Sequence, residues 1–357
     1  MKALRYRILT LAALLPLAVL EALAQARPPG ASYAGRAFEF RPVAEGVYFA
    51  VGTGNLSAES NAVIVVNETD VLIVDGETSP AAGWALLEEL KSITPKPVRY
   101  LVLTHFHYDH AQGAQAFPPG TEIIGTEFTR EMIASGKSVT HPTAQGNRAF
   151  GSAQIASLGK ALDSASSPAS RQDIEHRRRV WQEYLTSLET LKPTAPNVTV
   201  SHRMTLIRGN RRIVIAYPGP AHTAGDLVVW LPEERILVTG DLLQPSLPYM
   251  GDGFLNQWAD ALDSLQALHP AVILPGHGDA ITDMAVVDRL RDYLRDIWNQ
   301  SAELKRQGLS FEEAAKRLDL TKYDRYYPRY PGWTDEMIVR RRAGAVKRVY
   351  DLLDPPK

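Results

Sequence analysis

Cysteine is absent from all 357 residues. That removes disulfides, thiolate nucleophiles and thiolate metal ligands together, so any metal must be held by imidazole and carboxylate. Neither sign of charge is in surplus: 39 Lys and Arg stand against 40 Asp and Glu. That near-neutral balance gives nothing that favours nucleic acid or an anionic membrane as partner, because binding phosphates needs clustered, unbalanced Lys and Arg. An apolar fraction of 45% and a charged fraction of 22% are ordinary for a chain that buries a real core.

The amino terminus differs from the rest. Lys2, Arg5 and Arg7 precede the apolar stretch Ile8 to Leu20, and the small residues of Ala22 to Ala26 follow. This three-part pattern predicts a secretory signal peptide over 1–26, cleaved after Ala24 or Ala26. The stretch is short for a membrane span and Pro16 interrupts it. The expected location is periplasmic or secreted, with no membrane attachment after cleavage.

Short β-branched runs separated by Gly, Asn, Glu and Asp predict strands at Val47 to Val51, Ala62 to Val66 and Val71 to Val74. A helix is expected from about Pro80 to Ser92, then strands at Tyr100 to Leu103 and Glu122 to Gly125. Residues 128–193 lack strand signals and read as a helical insertion that forms a wall or lid. Its parts are a loose Gly/Ser/Ala-rich segment, Gly146 to Ser170, and a helix from about Arg171 to Leu191. Strands return between Val198 and Leu274. From about Met284 to Lys357 the chain reads as a C-terminal helical extension, with a capping box at Ser310-Phe311-Glu312-Glu313. The aromatic link Tyr323 to Trp333 within it suits packing or an interface, and a homo-oligomer is compatible with it.

The densest chemical signal is Thr104-His105-Phe106-His107-Tyr108-Asp109-His110, directly after the apolar run Tyr100 to Leu103. Three imidazoles this close would repel one another if protonated, whereas neutral imidazole is the commonest protein metal ligand. The cluster therefore predicts a metal site where a strand gives way to a loop. Three later turns each carry a further ligand type behind a strand: His222 in Pro218 to Asp226, Asp241 after Val238-Thr239-Gly240, and His277 in Leu274 to Gly278. Each is weak alone, but in this order behind the first cluster they reinforce it. Among the other histidines, His141, His176, His202 and His269 take a structural reading, although His141 sits in the insertion and could face a substrate. Asp226 is expected to brace the His222 turn, and Tyr108 to line the pocket.

Together with Asp75 at a strand end, these motifs make residues 41–283 resemble the metallo-β-lactamase-fold hydrolase superfamily. The resemblance implies an α/β fold, a four-layer αββα sandwich spanning 27–283. It implies that His105, His107 and His222 hold one metal, that Asp109, His110 and His277 hold a second, and that Asp241 bridges them. Asp75 would orient the ligand loop from behind, since hydrogen bonds to a ligand fix its tautomer and geometry. Two zinc ions are implied, with iron or manganese as alternatives.

The first subclass of true metallo-β-lactamases has Cys at the position of Asp241 and lacks the equivalent of His110. This chain, with His110 and Asp241 both present, more closely resembles the glyoxalase II and lactonase type of site. Flavodiiron proteins carry Glu in place of the second histidine, and His107 argues against them.

The chemistry so implied is hydrolysis of a small-molecule acyl bond (β-lactam, lactone, thioester or ester) by a metal-bridged hydroxide, with Asp109 aligning it while ligating. No Ser-His-Asp arrangement is evident. The alternatives are a phosphodiesterase or nuclease on the same fold, an iron-dependent redox enzyme, or a non-catalytic metal-binding scaffold.

Overall fold

The computed structural model describes residues 26–327 and 334–354. The expected signal peptide lies outside the described residues apart from its last position, as does the 328–333 part of the aromatic link. No helix among the described residues is long and apolar enough to cross a membrane.

Among the described residues, twelve strands form two mixed sheets. The first runs in spatial order β1 (Phe38–Ala44), β2 (Val47–Gly52), β3 (Ala62–Val66), β4 (Val71–Val74), β5 (Val98–Val102), β6 (Glu122–Gly125) and β7 (Val198–Thr199). Pairs up to β3–β4 are antiparallel, and those from β4 to β7 are parallel. The second sheet is ordered β12 (Val272–Pro275), β11 (Ile236–Gly240), β10 (Val228–Leu231), β9 (Arg211–Ala216) and β8 (Arg203–Arg208), parallel only at β11–β12.

Why the central strands are apolar at every position follows from the layering. Successive side chains on a strand point to opposite faces. Val63, Val65, Leu72, Val74 and Val102 meet Ile213, Ile215, Val229 and Val238 between the sheets. Their neighbours Ile64, Ile73 and Leu101 face outward onto α1 (Pro80–Leu90) through Ala82, Ala85 and Leu86. Both faces are covered, so period-two alternation disappears, as in sheets packed on both sides.

The outer face of the second sheet is covered by α7 (Leu255–Gln266), α8 (Ala285–Arg306), α9 (Phe311–Arg317) and α10 (Asp335–Leu353). Trp258, Leu262, Leu290, Leu294 and Val346 are fully buried there with Leu237 and Ile273, each contributing about 1.5–3 kcal/mol by burial. The result is the expected αββα order. The capping box forms as expected, with Ser310 Oγ accepting from the Glu313 N–H and Glu313 accepting from the Ser310 N–H.

Between β6 and β7 come α3 (Glu127–Ala134), α4 (Lys137–Thr140), α5 (Pro142–Asp163) and α6 (Pro168–Leu188); the short α2 (Tyr108–Ala111) follows β5. The reading of Gly146 to Ser170 as loose is corrected, because α5 occupies most of it. Its glycines misled, and one of them is a packing device. A Cβ on Gly151 would stand 2.8 Å from the Trp181 ring of α6, so glycine lets the two helices approach.

Candidate metal centre

The chemistry-bearing residues sit where strands end. β4 and β5 are parallel and deliver Asp75 and the His105 to His110 loop to one edge. In the other sheet, parallel β11 and β12 deliver Asp241 and His277, and the turn between β9 and β10 carries His222. Crevices at the carboxyl ends of strands are the usual ligand positions in α/β sheets.

The structure brings all of the proposed ligands together. His105 Nε2 lies 3.0 Å from His107 Nδ1, which lies 3.1 Å from His222 Nε2. Beside this group, Asp109 Oδ2 is 3.0 Å from His277 Nε2 and 3.5 Å from His110 Nε2. Asp241 stands between the two groups. Its Oδ1 is 3.4 Å from both His110 Nε2 and His277 Nε2, and its Oδ2 is 3.7 Å from His222 Nε2. Every one of these residues is buried except His277, which is 29% exposed and borders the cavity.

Two observations fit this donor set to cations. His110 Nε2 and Asp241 Oδ1 are buried without a hydrogen-bond partner, which is costly unless something else satisfies them. Electrostatics point the same way. Burial, reinforced by the neighbouring imidazoles, holds His105 far below the ordinary imidazole range and His222 at about 3. Burial would also lower His110 and His277, but the adjacent carboxylates win and raise both well above that range. Asp109 is correspondingly lowered to about 2, His110 and His277 overcoming its burial. His105 and His222 thus offer neutral lone pairs, and His110 and His277 hold protons that a cation can displace.

Hydrogen bonds behind the donors hold them. Asp75 adopts a left-handed backbone, φ 66°. Its Oδ1 accepts from the Thr104 N–H at 2.8 Å, and its Oδ2 lies 2.8 Å from His110 Nδ1. Ser60 Oγ donates to the Asp109 carbonyl at 2.6 Å, and the Asn61 N–H donates to the Gly276 carbonyl at 2.7 Å. Asp226 accepts from Thr223 N and Oγ1 at 2.7 and 2.9 Å, bracing the His222 turn as expected.

Sequence reading missed two carboxylates. Asp252 Oδ2 lies 2.9 Å from His107 Nε2, and its Oδ1 lies 3.4 Å from His141 Nε2. Both imidazoles lower the Asp252 carboxyl against its burial. Glu59 accepts from the Tyr108 hydroxyl at 2.7 Å and from Asn147 Nδ2 at 2.8 Å. Only the Gly residues flanking Asp252 hinted at a turn there, and nothing local marked Glu59. His141 belongs to this surrounding after all, whereas His202 and His269 are exposed and His176 contacts the Gly54 carbonyl at 3.1 Å.

The centre opens into a cavity of about 1550 Å³, above the roughly 300–1,000 Å³ of common small-molecule sites. Tyr108 lines it as expected. One wall is α5, through Thr143, Asn147 and Phe150, and another comes from the C-terminal helices, through Tyr293, Ile297 and Ile338.

Comparisons with known proteins agree with this fold. Residues 58–277 match the family model of the metallo-beta-lactamase superfamily. The linear primary-alkylsulfatase of a Pseudomonas species is 22% identical over 297 residues, covering 78% of this chain but only 52% of the alkylsulfatase. The type 2 metallo-beta-lactamase of Elizabethkingia meningoseptica is 30% identical over 227 residues, covering 62% of this chain and 69% of the lactamase. Among solved structures, a metallo-beta-lactamase from Pontibacter korlensis matches with TM-score 0.53 at 20% identity, over 72% of this chain and 99% of its own. The inverting sec-alkylsulfatase Pisa1 from Pseudomonas matches with TM-score 0.61 at 16% identity, over 90% of this chain and 52% of its own.

Proposed function

The chain belongs to the metallo-beta-lactamase superfamily, and on that premise we propose that it is a two-metal, zinc-dependent hydrolase of small-molecule acyl bonds. The observation that carries this reading is the placement of Asp241 between two groups of donors, each oxygen facing a different group. His105, His107 and His222 would hold one ion; Asp109, His110 and His277 the other; and Asp241 both. Imidazole and carboxylate donors without thiolate suit zinc and other divalent first-row ions. Two such ions, when bound, lower the pKa of water toward neutrality and polarise the scissile group.

What the chain's own residues contribute is position and charge. Asp109 presents Oδ2 toward the second group while its carbonyl is pinned by Ser60, so it can accept and orient a proton at a fixed place beside the cavity. Tyr108, with its hydroxyl proton committed to Glu59, offers its oxygen to a donor on the substrate. The deep burial of the donors excludes bulk water from all but the cavity side. The N-terminal pattern supports a location outside the cytoplasm.

A second reading has a specific observation in its favour. The alkylsulfatase similarity reaches over 78% of the chain, against 62% for the lactamase, and the cavity has apolar walls suited to an alkyl tail. Alkyl sulfate esters therefore stand beside acyl compounds as candidate substrates. Phosphodiesters are disfavoured by the near-neutral charge.

The test is a panel on zinc-reconstituted protein: a β-lactam, a homoserine lactone, a glutathione thioester, a simple aryl ester, a medium-chain alkyl sulfate and bis(p-nitrophenyl) phosphate, each with a chelator control. Chelator-sensitive turnover of an acyl compound above the others is expected. Preference for the sulfate ester selects the second reading, and preference for the phosphodiester or no turnover defeats both.

A further inference from the structure

The first group of donors has an uneven backing. His105 Nδ1 lies 3.1 Å from Thr104 Oγ1, a neutral hydroxyl. His222 Nδ1 is buried with no partner. Among the described residues, His107 alone of the three has a carboxylate behind it, Asp252 at 2.9 Å. A carboxylate only accepts, so His107 Nε2 must carry the hydrogen and Nδ1 must present its lone pair toward His105 and His222. The second group has the same device: of its two imidazoles, His110 is backed by Asp75.

Asp252 does not reach this place through its own segment alone. Its turn is tied to the His222 loop by the Phe254 N–H donating to the Ala221 carbonyl at 2.8 Å. From the other side, Arg348 of α10 donates to the Gly253 carbonyl at 2.9 Å. The second oxygen of Asp252 faces His141, the N-cap of α5, whose Nδ1 in turn lies 2.9 Å from Thr143 Oγ1. A continuous line of contacts therefore runs from the insertion helix through one carboxylate to one donor of the first group.

We propose that Asp252 is a positioning residue for the first metal ion, fixing the tautomer and orientation of His107, and that His141 makes this support depend on the seating of the insertion helix α5. The inference rests on the two-metal reading above. Removing an outer carboxylate from a ligating histidine weakens metal affinity roughly 10–100-fold. The loss should fall on one ion of the two, because Asp252 touches no donor of the second group.

The experiment is a titration of metal-free full-length protein with zinc in competition with a chromogenic chelator, repeated with cobalt to read its visible absorption bands. The variants are Asp252→Ala, Asp252→Asn, His141→Gln and His222→Ala. Two binding steps are expected for the unaltered protein, one of them lost in His222→Ala. Asp252→Ala should weaken that same step roughly 10–100-fold, leave the other within about twofold, and shift the cobalt bands of the weakened site. Asp252→Asn, which keeps an acceptor for the Nε2 hydrogen but not the charge, should weaken it less and serves if the alanine variant does not fold. His141→Gln should move the same step in the same direction by a smaller factor.

Equal weakening of both steps, or no change in either, overturns the inference. So does an unaltered protein that binds three ions of which Asp252→Ala removes one, since His107, His141 and Asp252 would then be a metal site themselves. An unaltered protein that binds no ion overturns the two-metal reading, and this one with it, before any variant is compared.

Discussion

Asp75 Oδ2 lies 2.8 Å from Nδ1 of His110, and both side chains are buried. The contact turns the other nitrogen, Nε2, toward Asp109 and Asp241. Asp75 also receives the Thr104 N–H and hydroxyl, so one carboxylate sets both the start of the histidine loop and the tautomer of its last donor.

Asp75→Ala should therefore loosen the second ion roughly 10–100-fold, and leave the Thr104 N–H buried without its partner at about 1–3 kcal/mol. Chelator competition and thermal unfolding measure the two effects separately. Unchanged affinity with lowered stability would reduce Asp75 to a structural role.

His222→Ala removes a donor rather than its support, so its effect should exceed the outer-residue range, more than about a hundredfold in turnover, with one ion lost by elemental analysis. Full metal content together with full turnover in this variant would defeat the ligand assignment.

Metal binding should release protons. His110 and His277 are raised well above the usual imidazole range by their carboxylate neighbours, so the metal-free protein holds them charged at neutral pH. Zinc affinity should rise with pH, and calorimetry in buffers of different ionisation enthalpy should count protons released. The stability of the metal-free protein has the opposite trend. Imidazoles whose folded pKa is raised stabilise fully below their unfolded value of about 6.5 and lose that contribution as pH climbs through the folded value. Asp109 and Asp241 are lowered, so their contribution is present above about 3.9 and lost as acid reaches the folded values. His105 and His222, held below the ordinary imidazole range, take stability away as pH falls below about 6.5, so the metal-free protein should melt highest just below neutrality, and zinc should erase the decline on the alkaline side.

Gly276→Ala tests how tightly the centre is closed. A Cβ there would stand 2.4 Å from Asp241 Oδ1 and 2.7 Å from His110 Cε1, which side chains of this burial cannot evade. Loss of ordered binding of both ions, with the circular dichroism of the fold retained, is the expected outcome. Intact two-ion binding would mean that the loop can shift.

The residues themselves show how far the chain could be read without coordinates. His105 to His110 were legible because a run of imidazoles after an apolar strand has few uses other than metal. His222, Asp241 and His277 were legible only as an ordered set behind that run. Asp252, 145 residues from His107 along the chain, left no local trace, because its role arises from the turn before α7 being held against the His222 loop and α10. Glu59 is similar: it meets Tyr108 across 49 residues of chain, and Asn147 only once the insertion has folded back over the centre. The glycines of α5, taken alone, disfavour helix, while the packing of one of them, Gly151, against Trp181 of α6 favours it.

Strand runs, strand-end motifs and the lack of cysteine are local properties of the chain, so the elements and the candidate donors could be read from it, and the αββα layering followed from the family that those motifs resemble. Tertiary structure alone decided how closely those donors approach one another, that Asp252 stands behind His107, and which helices wall the cavity. Those relations are distances between segments far apart in the chain, and only the packing of two sheets and their helices sets them.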